Sequence, residues 1–161
     1  MFSRIESLPP THLVGMSKQI KLTASEITSL WKSFMPRLKE IVNRKGTSIF
    51  SVQIYDPGIT FETFNLDILV TKWAAVPVTD FYQIPPEGMQ QHRINGGLYA
   101  VFNHKGLPAA FPATMNYIFK KWLPNSGYAL DNREQFEIMG DKYRNNDPES
   151  EEEVWIPVKI I

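Results

Sequence analysis

The sequence predicts an α+β fold of tandem strand-helix-strand-strand units. They form an antiparallel sheet with two helices on one face and a ligand cleft on the other. Three observations carry this reading. Two helix-period stretches are each preceded by one strand-like run and followed by two. Residues 50–55 lie on residues 134–139 with the apolar pairs Val52/Ile54 and Phe136/Ile138 in register, and Val76-Pro77-Val78 parallels Ile156-Pro157-Val158. Finally, the chain of 161 residues is 43% hydrophobic and 21% charged, enough for one domain with its own core.

The elements follow in order. HLVGMSKQIKL reads as the first strand. Thr23 and Glu26 then open a helix in capping-box spacing, and Ile27, Leu30, Trp31, Phe34, Leu38, Ile41 and Val42 form its apolar stripe. Pro36 predicts a kink or break, and Gly46 a stop. TSIFSVQIYD and FNLDILVTKW complete the first unit. GGLYAVFNHKG opens the second; its helix begins near Pro112, carries Met115, Ile118, Phe119 and Trp122, and stops at Gly127. DNREQFEIMGD and EEEVWIPVKI close it. A single domain, 1–161, thus holds internal repeats at approximately 1–80 and 90–161.

Alternation along the strands separates two faces. Val52, Ile54, Phe136 and Ile138 are expected to face the helices. Gln53, Tyr55, Glu137 and Met139 are expected on the opposite face, where the meeting of two repeats makes a cleft. A carboxylate there is either solvated or, in a cavity, a buried charge suited to a cation.

Composition removes several function classes. Lys+Arg and Asp+Glu each number 17, so the chain lacks the basic excess of a general nucleic-acid binder. Without cysteine there are no disulfides and no thiolate chemistry. No signal-peptide pattern or membrane-length apolar run is present, which predicts a cytoplasmic protein away from membranes. His12, His92 and His104 lack ligand spacing, so no metal site and no cofactor are expected and surface positions are the default. The run DPESEEE, residues 147–153, reads as a solvated loop leading into the last strand.

The run GGLYAVFNHKG, the helix end WLPNSGY, and FEIMGDKYRNNDPESEEEVWIPVK together resemble the GyrI-like small-molecule-binding domain. Gly96, Gly97, Tyr99, Ala100, Phe136, Glu137 and Ile156-Pro157-Val158 match the family pattern; the N-terminal half matches more loosely. The resemblance implies the effector-binding fold of multidrug-responsive regulators in a stand-alone form, since no DNA-reading segment precedes the first strand. It implies binding of amphipathic, cationic or aromatic small molecules, as a sensor, sink or modulator, without direct DNA binding. It also implies that Glu137 faces such ligands.

Around Glu137, the rings of Tyr55, Tyr99, Trp122 and Trp155 are candidate partners for a cation, with Met139 beside them. Trp155 is placed with the pocket because it alternates with Val154 and Ile156. Trp122 fits a helix core equally well, and Asp67 reads as a solvated strand residue. An enzymatic alternative is hydrolysis of activated small molecules, with Glu137 and Tyr99 or Tyr55 as acid/base groups. Protein-binding modulation of the gyrase type is a further class. Haem-binding relatives of the fold form another, although no axial-ligand pattern is evident.

Overall fold

The computed structural model describes residues 1–161. Strands β1 (Phe2–Leu8) and β2 (Thr11–Lys21) lead into helix α1 (Ala24–Phe34). Then come β3 (Ile49–Ile54), β4 (Leu69–Pro77), β5 (Gln90–Ile94) and β6 (Gly97–Lys105). Helix α2 (Phe111–Asn116) is followed by β7 (Tyr128–Leu130), β8 (Gln135–Met139) and β9 (Glu151–Ile160). All pairings are antiparallel, in the order β1-β6-β9-β8-β3-β4-β2-β5, with β7 added on β9. The expected strands are present; β1, β5 and the short β7 are additions that the sequence reading did not separate.

The helices end where local chemistry requires. α1 tightens into a 3₁₀ segment, Met35–Glu40, at Pro36, whose missing N–H and ring exclude a regular turn. Thr23 takes the extended cap conformation without a side-chain bond, while Glu26 accepts a hydrogen bond from the Lys21 backbone N–H at 2.7 Å. After Pro112, α2 widens into a π-helical segment, Tyr117–Trp122, and stops before Gly127 at φ +79°. Val42, expected in the first stripe, lies beyond the helix and is exposed.

The sheet is bent round on itself. Leu8 stands opposite Gly97 and Thr11 opposite Ile94, so β1–β2 and β5–β6 pair in one continuous register across a corner. Pro9 and Pro10 sit at that corner on one side and Gly96 on the other. Pro cannot donate to the ladder, and a Cβ on Gly96 would fall 2.4 Å from the Leu8 carbonyl oxygen. Gly15 admits a second close approach: its Cβ would meet the Ala74 oxygen at 2.0 Å.

The bend gives the sheet an inside. Leu13, Phe50, Val52, Trp73, Ile94, Tyr99, Val101, Phe136 and Trp155 pack there as one buried cluster. Outside, Leu30 and Phe34 of α1 cover Val14, Ala74 and Val76. Ile118 and its neighbours beyond α2 cover Ala100, Phe102, Val154 and Ile156. Cross-strand partners share a face, and one row runs Met16, Ala74, Ser51, Glu137, Val154, Phe102. Ala74 belongs to the α1 cluster and Val154 to the α2 cluster, so both helices lie on one face, as predicted.

The same row corrects the expected facing. Val52, Ile54, Phe136 and Ile138 belong to the inner cluster, away from the helices. Gln53 and Glu137 share the helix-bearing face, in the furrow between the two helical covers. The alternation was read correctly, but both sides of these strands are buried, so hydrophobicity did not say which side the helices take.

Candidate functional site

The furrow gathers buried polar side chains. The buried polar residues include Ser51, Gln53, Lys72, His104, Thr114, Gln135 and Glu137. Strand register puts all of those that lie on strands on the helix-bearing face, and Thr114 comes down from α2. A belt of polar groups therefore crosses the sheet between two apolar patches.

Glu137 is at its centre, on β8. Its Oε1 accepts a hydrogen bond from Gln53 Nε2 at 3.0 Å. β4 supplies Lys72, only 4% exposed, whose Nζ donates to Ser51 Oγ at 2.6 Å. β9 supplies Glu152, directly opposite His104 of β6. His104 Nδ1 pairs with Thr114 Oγ1 at 2.7 Å, and its buried Nε2 has no partner.

Burial dominates the electrostatics. It raises the pKa of Glu137, against Lys72 and the hydrogen bonds from Gln53 and Ser51, which favour the charged form. Burial lowers Lys72, while Glu137 and Glu152 oppose that shift. Glu152 is pushed up to about 7, by burial first and then by Glu137, with Lys72 giving partial relief. Tyr55 is raised by burial and the Glu137 charge, so its phenol stays protonated. His104 is lowered, chiefly by burial, which favours the neutral ring.

A roof lies over this belt. Phe61, in the connection between β3 and β4, stacks on Phe119 beyond α2 with centroids 4.9 Å apart and planes within 7°. Lys120 Nζ lies 5.8 Å from the centre of the Phe61 ring, and Phe64 packs edge-on to Tyr55 at 5.9 Å. The Phe61–Phe119 stack thus ties the β3–β4 connection to the helical cover beyond α2, on the face that carries Glu137.

The structure brings together only part of the predicted constellation. Glu137, Tyr55 and Met139 share the furrow face. Trp155 and Tyr99 do not: both are in the inner cluster, where Trp155 stacks against Phe136 at 5.4 Å. Trp155 does lie opposite Val154 and Ile156, but Glu137 pairs with Val154 and so takes the other face. Trp122 packs on Phe102, Phe2 and Tyr128, its helix-core alternative. Asp67 is solvated and reaches Lys21 at 3.8 Å.

Three residues of the polar belt escaped the sequence reading. Lys72 was not singled out; as the neighbour of Trp73, its alternation was the available signal. Glu152 was assigned to a solvated loop but belongs to β9, two residues before Val154 on the same face. His104, assigned to the surface by default, is 3% exposed. His92 is also half-buried, bonded to Glu134 at 2.7 Å on the inner side. No set of His, Asp and Glu side chains converges to hold a metal ion, and no helix is long and apolar enough to cross a membrane.

Comparison with known proteins places the chain. It is 26% identical over 160 residues to the transcriptional regulator BrlR of Pseudomonas aeruginosa, covering 98% of this chain and 56% of that protein. The chain thus spans about half the length of that relative. The structure of SAV2435 bound to tetraphenylphosphonium matches with a TM-score of 0.71 at 18% identity, over 99% of this chain and 94% of that one. The EcmrR C-terminal domain matches with a TM-score of 0.75 at 12% identity, over 100% and 99%. The model of the GyrI-like small molecule binding domain matches residues 1–159, and the chain belongs to that family.

Proposed function

We propose that the furrow around Glu137 is the small-molecule site and that its ligands are amphipathic aromatic cations. The buried Glu137 carboxylate is the observation that carries this reading. A carboxyl group out of water is costly when charged, and a cation with a broad apolar body repays the cost by bringing charge and desolvation together. The SAV2435 neighbour, of the same fold, holds such a cation. Tyr55 and the Phe61–Phe119 stack offer ring faces near the carboxylate. The domain acts as a sensor, sink or modulator whose ligand-bound state differs from the free one in the roof.

The test is titration calorimetry with tetraphenylphosphonium and the neutral triphenylphosphine oxide. Glu137→Gln keeps the shape and removes the charge. It should weaken the cation by roughly 1–3 kcal/mol, the scale of a charge-assisted contact, and leave the neutral compound nearly unchanged. Because a bound cation favours the carboxylate, binding releases a proton from the fraction of Glu137 that is protonated. Cation affinity should therefore fall as pH drops through the raised pKa of Glu137. Equal losses for both ligands would assign Glu137 a packing role, and no loss would place the ligand elsewhere.

A further inference from the structure

The belt holds more hydrogen-bonding capacity than the protein uses. The buried Lys72 ammonium has three protons and one protein acceptor, Ser51 Oγ at 2.6 Å. No carboxylate oxygen lies within ion-pair distance of it, although Glu137 and Glu152 share its face. Glu152, half-buried, accepts no hydrogen bond from a protein group, and His104 Nε2 is fully buried without a partner. Buried polar groups are almost always paired; Arg44 Nε and Trp73 Nε1 are single exceptions elsewhere, whereas the belt sets the part-paired Lys72 and the orphaned His104 nitrogen on one face with Glu137 and Glu152.

The spare capacity is ordered by sign. Lys72 lies on β4, Glu137 two strands away on β8, and Glu152 with His104 beyond it on β9 and β6. The Lys72 ammonium reaches Ser51 Oγ on the intervening strand, and Ser51 stands opposite Glu137, so the cationic and anionic groups flank Ser51 without forming an ion pair. A ligand with only positive charge meets Glu137 but leaves the Lys72 amine with Ser51 as its one acceptor. One with both signs satisfies both ends.

We propose that this site selects amphoteric aromatic ligands: a delocalised or ammonium cation seated at Glu137 and Glu152, and an anionic group on the same molecule accepting from Lys72. This rests on the furrow being the ligand site. It adds a specificity determinant, Lys72, that a plain cation site would not contain.

Rhodamine B and its ethyl ester test it. They share one xanthylium cation and differ in whether the benzoate is free or esterified. Fluorescence anisotropy with the full chain should show the free acid binding about tenfold more tightly, the scale of one charge-assisted hydrogen bond. Lys72→Met should abolish that preference by weakening the free acid about tenfold while leaving the ester unchanged or tighter. Met has similar volume, and replacing a buried charge with an apolar group is often tolerated. Lys72→Arg, which keeps the charge, should retain part of the preference and serves if the Met variant does not fold. Equal binding of the two dyes by the native chain, or an equal change in both on Lys72→Met, overturns the assignment. Glu137→Gln separates the two levels. If it weakens both dyes while the Lys72 variants leave their ratio alone, only the amphoteric preference fails. If it weakens neither, the furrow itself is the wrong site.

Discussion

The two faces of the central strands are both buried, yet by different means. Inside the bent sheet, Phe50, Phe136 and Trp155 stack with centroids 5.1 and 5.4 Å apart, and Tyr99 packs against two of them. Tyr99 is fully buried, and its hydroxyl donates to the Glu134 carbonyl at 3.0 Å. On the outer side, one residue away along the same strands, Glu137, Lys72, Glu152 and His104 have fewer partners than they can use. The inner face supplies cohesion through apolar area and stacking. The outer face of these strands carries polar groups with few protein partners instead. On the proposed reading, stability and recognition are divided by strand parity, and substitutions on adjacent residues should behave differently.

The sharpest test sets Phe136 against Glu137. Phe136 is fully buried between two stacked rings. Phe136→Ala should cost about 3–5 kcal/mol by denaturant unfolding, from lost burial and the cavity left behind. Glu137→Gln, one residue on, should change stability little or raise it, because an amide needs no charge stabilisation. If the two variants were equally destabilised, the division by face would fail.

How much of this was legible in the sequence follows from the same parity. The alternation Phe136-Glu137-Ile138 is a local signal, and the two elements either side of each helix showed up for the same reason. Which face meets the helices is not local. Val52 and Val76 are both buried, one inside the bend and one under α1, so hydrophobicity cannot rank the two sides. The bend itself depends on Pro9, Pro10 and Gly96, which read as ordinary turn residues until their pairing is known. Lys72 and Glu137 lie on strands joined only through β3, and Glu152 and His104 meet by register across 48 residues. Glu152 was the recoverable one: counting back by two from Ile156 and Val154 puts it on their face. A run of acidic letters hid that count.

A smaller effect, dependent on pH, sharpens the account of the polar face. Glu152 is raised from 4.5 to about 7, by burial and then by Glu137. The native state therefore holds this proton more tightly than the unfolded chain does. Its contribution is full below about pH 4.5 and is lost as pH rises through about 7. At one pH unit per 1.36 kcal/mol the loss is at most about 3 kcal/mol, and partial solvent access reduces it. Glu134 works the other way. Burial raises it, but the His92 hydrogen bond and neighbouring charges outweigh that and leave it lowered, so its contribution is lost at low pH. The difference between wild type and Glu152→Gln isolates Glu152. Urea midpoints should favour the variant at pH 8 and converge near pH 4.5. Parallel curves would mean that Glu152 is solvated in both states.

The smallest expected effect concerns the roof. Phe61 touches the body of the domain through one stacked partner, Phe119, and through the Lys120 side chain. An aromatic pair of this kind is worth about 1 kcal/mol beyond its area, and Phe61 remains partly exposed. The connection around it is otherwise held by short-range bonds, among them Ile59 N–H to the Asp56 carbonyl and Phe64 N–H to that of Thr60, and by one exposed ion pair from Asp67 to Lys21 at its far end. These fix its local turns without fixing its position over the furrow. Phe61→Ala should therefore lower global stability by about 1 kcal/mol or less. It should raise hydrogen exchange across residues 55–68 while β3 and β4 keep their protection. If the roof gates entry, the association rate of tetraphenylphosphonium should rise more than its equilibrium affinity falls. Loss of protection in β3 and β4 would make Phe61 a core residue, joining it to the inner face in behaviour. Unchanged exchange in 55–68 would show that the Tyr55–Phe64 contact, rather than the Phe61–Phe119 stack, holds the roof down.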